Sequence, residues 1–239
     1  MSECWVFIEE LAGSCSVTLA PDEARHLVAR RLRVGDPLVV FDGLGHTAPA
    51  RIESLGKPST RVRVDAIVEV ARPDSTFVLA SAIPKGDRLS TMLQMLSQLG
   101  LVCWQPLVLQ DSAVRKLDPT SSRLIRILIE SCKVSRRAWR LEVRAPCSLE
   151  DALAKRSSAE SVYFGDRNGP AVGFDRAAGL AVIGPEAGFS DSERRILQGV
   201  GALPRSFGAH NLRIETAAVA ATVALHLNRA AESAGEERK

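Results

Sequence analysis

Up to residue 72 the apolar positions come in short runs broken by turn residues. Val17-Thr18-Leu19, Pro37-Leu38-Val39-Val40-Phe41, Ala48 to Ile52 and Arg61 to Val68 are predicted as strands. Arg61 to Ala66 alternates charged and apolar side chains, as a strand buried on one face does. Asp42-Gly43-Leu44-Gly45 predicts a turn between two of the runs. One helix is predicted at Asp22–Arg31. The pattern over residues 1–72 is that of a small β-barrel.

After Pro73 the rhythm becomes strand, helix, strand. Thr76 to Ala82 is a predicted strand. Leu89, Met92, Leu93, Leu96 and Leu99 follow at helical spacing, with Gly100 placed to close that helix. Leu101 to Leu109 returns to strand, Ser122–Ser135 reads as helix, and Ser161 to Phe164 and Leu180 to Ile183 read as strands. Helices are predicted at Asp191–Gln198 and Glu215–Arg229. Such alternation implies an α/β domain over residues 73–239, with a mostly parallel sheet covered by helices. The polar stretch Glu232 to Lys239 reads as a frayed end.

A chain of 239 residues, 46% hydrophobic and 25% charged, is globular and long enough for one large or two small domains. The net charge of +3 is too small to name a partner, but the cations cluster. Arg25, Arg30, Arg31 and Arg33 crowd one stretch. Arg123, Arg126, Lys133, Arg136, Arg137, Arg140 and Arg144 face only Glu130 and Glu142 in another. Each cluster is either a solvated basic face or a surface that meets phosphates and gains from counterion release. The five cysteines are odd in number and form no C-x-x-C pair, which argues against a disulfide framework or a zinc site and suits a reducing cytosol. Cys103 and Cys132 lie in apolar surroundings and read as core residues. The N-terminus has no basic region and is interrupted by acids, unlike a signal peptide. No apolar run approaches the roughly 18 residues that a membrane span needs.

Three stretches carry candidate chemistry. Ile183-Gly184-Pro185-Glu186-Ala187-Gly188-Phe189 runs from a buried strand into a Gly/Pro loop, followed by a capping box of Ser190 and Glu193. It is either an ordinary strand–turn–helix joint or a loop that lets a ligand reach bare backbone at the carboxyl end of a strand. Ser206 to Ala218 is a second Gly-bearing loop feeding an apolar helix. Glu215 and Thr216 suit the helix start, whereas Arg213 gains nothing from the helix dipole there, which points to an ion pair or a ligand. His210 is a proton carrier or merely a solvated loop residue. In Pro84-Lys85-Gly86-Asp87-Arg88, Lys85 or Arg88 could hold phosphate while Asp87 caps a helix. No G-x-G-x-x-G follows the first strand, so a dinucleotide site has little support.

In order and spacing these stretches resemble the RsmE family of 16S rRNA (uracil-N3)-methyltransferases, within the SPOUT superfamily. The residues that carry the resemblance are Arg25-His26-Leu27, Leu32-Arg33-Val34-Gly35-Asp36, Phe41-Asp42-Gly43, Lys85-Gly86-Asp87-Arg88 and Leu99-Gly100. Gly184-Pro185-Glu186-x-Gly188-Phe189-Ser190 and Leu212-Arg213-x-Glu215-Thr216-Ala217 complete the set, which spans nearly the whole chain. The resemblance implies an N-terminal PUA-like barrel that helps hold RNA and a C-terminal α/β domain tied in a trefoil knot. It implies a cytoplasmic homodimer acting on 16S rRNA of the small ribosomal subunit, without a metal. By it, Ile183, Gly184, Pro185, Glu186, Gly188, Phe207, Gly208, Leu212 and Thr216 grip S-adenosylmethionine, largely through backbone groups. Arg25, His26, Arg31, Arg33, Lys85 and Arg88 are the expected RNA contacts.

The chain departs from the family pattern at several positions. Gln94-Met95 with Gln98 stands where a Gln-Lys pair with a later Glu is expected, and Lys133-Val134 where Glu-Gln is expected. Leu141 replaces a proline, Ala187 a glycine and Ile214 a threonine. The charge changes read as one rewired ion network, and Ala187 would be strained if its position needs positive φ. Uracil N3 must lose a proton to become nucleophilic, so a base or an anion-stabilising cation is required. Arg213, with Arg137 of the partner subunit, is expected to stabilise the uracil anion. Glu215 is expected to fix Arg213 or assist proton removal, or else serves only the helix start. Competing readings are a methyltransferase acting on another RNA base and a non-catalytic RNA-binding relative.

Overall fold

The short runs of the N-terminal third pair into a six-stranded sheet of order β1-β3-β4-β5-β2, with β6 paired to β4. The strands are β1 (Trp5–Phe7), β2 (Ser16–Thr18), β3 (Pro37–Phe41), β4 (His46–Ser54), β5 (Arg61–Val64) and β6 (Val68–Glu69), and α1 (Pro21–Ala29) lies between β2 and β3. The computed structural model describes residues 3–73, 77–156, 159–171 and 178–236. The chain divides into two units, Met1–Pro73 with Ile129–Arg140, and Asp74–Leu128 with Leu141–Lys239.

In the first unit Val62 and Val64 face a core with Val6, Leu38, Val40, Ile52 and Leu27, while Arg61 and Arg63 face outward. The run expected to continue to Val68 stops at Val64. Asp65 instead donates its N–H to Pro49 O at 2.9 Å, and the chain rejoins the sheet only at β6, against the start of β4. β1, to which no element is assigned from sequence, pairs in parallel with β3, and Trp5 and Phe7 both pack on Phe41, with ring centroids 5.4 and 5.7 Å away.

Helix α3 (Ser122–Ser135) passes from the second unit into the first after Leu128. Its last turns are tied to the first unit by Lys133, whose side chain is 7% exposed. Lys133 is ion-paired with Glu23 of α1, itself 8% exposed, and with Glu130 at 2.8 Å. Glu23 also accepts the Phe7 N–H at 3.3 Å. The lysine that departs from the family pattern is thus the cation of a buried network. The following residues dock on the Asp42–Gly45 turn, where Gly45 donates to Ala138 O at 3.1 Å and Arg140 donates to Gly43 O at 3.0 Å. A Cβ on Gly45 would lie 2.3 Å from the Trp139 ring, so glycine is needed there for contact as well as for its φ of 103°.

The second unit holds a parallel sheet of order β12-β10-β11-β7-β8-β9. Its strands are β7 (Val78–Ala82), β8 (Cys103–Leu107), β9 (Glu142–Val143), β10 (Ser161–Gly165), β11 (Ala178–Ile183) and β12 (Leu203–Arg205). Its further helices are α2 (Asp87–Gln98), α4 (Leu149–Ala154), α5 (Asp191–Gly199) and α6 (Ile214–Glu236). Leu79, Trp104, Tyr163, Val182 and Ala218 are among the side chains fully buried between the layers. Trp104 Nε1 finds a buried acceptor in Ser81 Oγ at 2.9 Å. β9, β12 and α4 have no counterpart among the elements expected from sequence. The tail expected to fray continues α6 as far as Glu236, and the residues after it lie outside the described ones. Cys103 and Cys132 are buried free thiols. No helix among the described residues is long and apolar enough to cross a membrane.

Removing one member of a buried ion pair leaves an uncompensated charge, at a cost of about 3–5 kcal/mol. Lys133→Met should lower the unfolding free energy of the chain by that order, and adding Glu23→Met should recover most of the loss. Chemical denaturation of the two variants and the wild type measures it. Equal stability of Lys133→Met and wild type would show that the pair does not hold the segment.

Candidate functional site

β12, β10 and β11 are neighbours and all parallel, so their carboxyl ends lie on the same side of the sheet. The three loops that leave those ends surround one cavity of about 360 Å³, within the range usual for small-molecule sites. Two of them are the glycine-bearing loops singled out in the sequence. Ile183, Gly184, Pro185, Glu186 and Gly188 line it from one loop, and Phe207, Gly208 and Leu212 from the other.

In the first loop Gly188 takes φ 83° and donates to Pro185 O at 2.8 Å, closing a tight turn. Gly184 lies under the Phe189 ring, where a Cβ would come within 3.2 Å. Ala187, replacing a glycine, is not in the left-handed region, so its Cβ brings none of the strain expected for positive φ. Ser190 and Glu193 form the expected capping box. Glu193 also accepts the Gln110 N–H at 2.8 Å, which anchors the helix end to the loop after β8. In the second loop Ser206 Oγ donates to Gly208 O at 3.0 Å. The carbonyl of Arg213 accepts the Ala217 N–H at 2.9 Å, which starts α6.

The third wall, Gly165 to Asn168 after β10, is not anticipated from the sequence. A strand running into Gly165-Asp166-Arg167-Asn168-Gly169 is a turn signal of the same kind, and it could have marked the segment. This segment stitches the site together. Asp166 donates its N–H to Arg205 O at 2.9 Å and takes Arg194 Nη1 on Oδ2 at 2.8 Å. Arg167 Nη1 donates to Asn211 Oδ1 at 3.3 Å. The Arg194 guanidinium, helped by the Asn168 N–H, holds the Asp166 carboxyl below its usual range. Arg205 lies over the Tyr163 ring, 4.6 Å from its centroid.

Arg88, expected to meet RNA, is instead engaged by carboxylates. Its Nη1 lies 3.0 Å from Glu186 Oε1 and 3.9 Å from Glu215 Oε2, so it bridges the first loop and the start of α6. Glu215 is 15% exposed, and its Oε2 is buried without a hydrogen bond. Arg213 is exposed, and its side chain has no partner among the described residues. Thr216 is exposed and does not line the cavity. Ala217, one residue further round the helix, does.

Arg137 belongs to the first unit and is not among the residues that line this cavity. It is half-buried, and burial lowers its pKa. Of the remaining expected RNA contacts, Arg25, Arg31 and Arg33 are exposed on the first unit, Arg25 beside Asp22. His26 is half-buried with Nε2 unpartnered. Lys85 is exposed on the second unit. No group of three or more metal-ligating side chains is assembled among the described residues.

The RNA methyltransferase domain family matches residues 72–226, and the RNA methyltransferase PUA domain family matches residues 19–65. The chain is 28% identical to the ribosomal RNA small subunit methyltransferase E of Rickettsia conorii over 91% of its own length and 92% of that protein. Among solved structures, a putative methyltransferase from Legionella pneumophila in complex with the bound cofactor SAM is 30% identical. That match covers 95% of this chain and 98% of the other, with TM-score 0.76. The ribosomal RNA small subunit methyltransferase E of Neisseria gonorrhoeae, bound to S-adenosyl methionine, shares the fold with TM-score 0.79 at 24% identity, covering 93% and 96% of the two chains.

The Asp166–Arg194 pair makes a pH prediction. The carboxyl's pKa is depressed in the folded chain, so the stability it contributes is complete above its unfolded value, about 3.9. That stability is lost as pH falls through the lower folded value. In denaturation series run from neutral pH down through that window, wild type should lose more stability than Asp166→Asn. Parallel losses would mean the pair does not hold the β10 loop.

Proposed function

Because the chain belongs to the RNA methyltransferase family, we propose that it methylates N3 of a uridine in 16S rRNA of the small ribosomal subunit, using S-adenosylmethionine. The observation that carries this reading is the meeting of the two glycine loops, far apart in the chain, around one cavity. The relatives that bear the small subunit methyltransferase name, matched over most of both chains, support the choice of RNA. When bound, the cofactor supplies a methyl group already activated as a sulfonium, so the protein has to provide position and electrostatics.

The cavity suits that cofactor chemically. Gly184 and Gly208 let the Phe189 ring and Leu212 pack directly on the backbone of the wall, and Phe207 and Leu212 add apolar surface. Asp166 and Glu186 are acceptors for hydroxyl and ammonium groups, and Arg194 and Arg205 are donors for a carboxylate. Ile183, Gly184, Pro185, Glu186, Gly188, Phe207, Gly208 and Leu212 would hold the cofactor, and Ala217 takes the place expected of Thr216.

On the substrate side, Glu215 has the properties of a base. Its Oε2 is buried with a lone pair unused, and the Arg88 guanidinium lies 3.9 Å away. Arg213, exposed and without an acidic partner among the described residues, is free to face the uracil anion. Arg137 of the partner subunit completes the cationic wall in a homodimer. Exposed apolar side chains support such a dimer, with Val223 and Leu227 on α6 and Met95 on α2 offering a face to a second copy. Arg25, His26, Arg31 and Arg33 of the PUA-like unit, with Lys85, hold the RNA in the cytoplasm.

General acid–base groups contribute about 10²–10⁴ in rate. Glu215→Gln and Arg213→Ala should therefore lose between a hundred- and ten-thousand-fold in methyl transfer to small-subunit RNA, while calorimetry finds S-adenosylmethionine bound as in wild type. Mass spectrometry of the product should give N3-methyluridine. Undiminished turnover in both folded variants would remove these roles, and a wild-type chain that binds no S-adenosylmethionine would end the reading.

A further inference from the structure

A second cavity in the methyltransferase unit, of about 210 Å³, shares no lining residue with the first. We infer that it receives one unpaired nucleotide of the RNA strand next to the methylated base. The inference rests on the RNA-methylating function proposed above and adds a place for the flanking strand. The first turn of α2 separates the two sites: Arg88 turns to Glu186 and Glu215, while Leu89 and Ser90, the next two residues, line the second cavity.

The floor is apolar. Leu89, Val114, Leu117 and Ile127 are half-buried and packed on the core. The rim is cationic, with Lys116 and Arg123, and no acidic residue lines the cavity. Lys116 has no ion pair among the described residues. Among the described residues Arg123 reaches only Asp87, at 3.4 Å, with side chains 73% and 99% exposed, a contact of little energy that a phosphate can replace. Ser90 and Ser121 also line the cavity, the Ser121 hydroxyl donating to Asp118 O at 2.9 Å and keeping its lone pairs as acceptors, and Lys85 is exposed in the adjoining loop.

An apolar slot with hydroxyls inside and cations at its mouth matches a base carried on a phosphate backbone. An apolar protein segment would need no cations among the residues that line its slot. The chemistry also calls for a single strand. N3 lies on the edge that pairs in a duplex, so the target must be unpaired, and unpaired RNA splays its bases out, where a guanidinium such as that of Arg123 can stack on them while cations track the phosphates.

The test uses the full-length chain and 16S rRNA transcribed with 4-thiouridine. Irradiation should cross-link the RNA to peptides spanning residues 83–90 and 114–127. Lys116→Ala with Arg123→Ala should raise the KM for 16S rRNA about tenfold. It should also flatten the salt dependence of binding by roughly 0.7 in log–log slope for each phosphate no longer neutralised. Ser90→Phe, which fills the slot without removing charge, should raise KM with the salt slope unchanged. Both variants should bind S-adenosylmethionine as wild type does.

A wild-type KM for Ser90→Phe overturns the inference, leaving at most a phosphate patch. Cross-links confined to other segments overturn it too. So does a change of oligomeric state in Ser90→Phe by light scattering, which would make the slot a contact between copies. A wild-type chain that fails to bind S-adenosylmethionine, yet cross-links at these peptides, would sink the methyltransferase reading instead.

Discussion

The site depends on a parallel ladder. β10 is hydrogen-bonded in parallel to β11 on one side and to β12 on the other, so the three chains emerge in one direction and their loops must share one space. β12 is the weak member, with three residues and a proline at Pro204 that has no N–H to give the ladder. Bonds outside the ladder hold it in place. Asp166 donates to Arg205 O, and Ser206 donates to Pro170 O at 3.1 Å. The loop after β10 therefore acts as a clasp on β12. Without it the Phe207–Leu212 loop would have no defined distance from the Gly184–Gly188 loop, and the cavity between them would not have a shape.

What could be read in the sequence is what local rules encode. The Ser190–Glu193 capping box and helix α3 stand where their residue patterns place them, and both glycine loops line the cavity. What could not be read is set by partners distant in the chain. β12 shows no alternation because it is too short for one. Arg88 reads as a free cation until folding brings Glu186 and Glu215 to it. Thr216 and Ala217 differ by a single step round a helix, a choice that spacing alone cannot make. The clasp at Asp166 follows a recognisable turn, but its value lies in contacts with Arg194, Arg205 and Asn211, from elements that only the sheet order assembles.

In the first unit a similar dependence falls on Lys133. A buried ion pair contributes little net stability over an apolar pair of the same size, because desolvation offsets most of the attraction. Its effect is on placement. Glu23 binds both Lys133 and the N–H of Phe7, so α1, β1 and the end of α3 answer to one carboxylate. The tight docking of Ala138 to Arg140 on Gly43 and Gly45 then needs no further charge. Lys133 is accommodated at the end of α3 because Glu23 of α1 and Glu130 of its own helix both reach it.

The cavity of this chain, which is 28% identical to the Rickettsia conorii protein, is held by contacts of two kinds. Its wall combines glycine, backbone and apolar contact at Gly184, Gly208, Phe207 and Leu212 with charged and polar side chains such as Asp166, Arg194 and Asn211. The charged groups around it are mostly engaged with one another: Asp166 with Arg194, Arg167 with Asn211, and Arg88 with two glutamates. These ties set loop positions, and a charge so engaged is a poor partner for a polyanion. The cations of the second unit that stay uncommitted among the described residues include Lys85, Lys116 and Arg213. A protein that must hold a strand of phosphates while keeping its small-molecule pocket balanced would divide its charges in this way. Under the proposed function, the uncommitted cations, more than the number of basic residues, are the groups offered to the RNA.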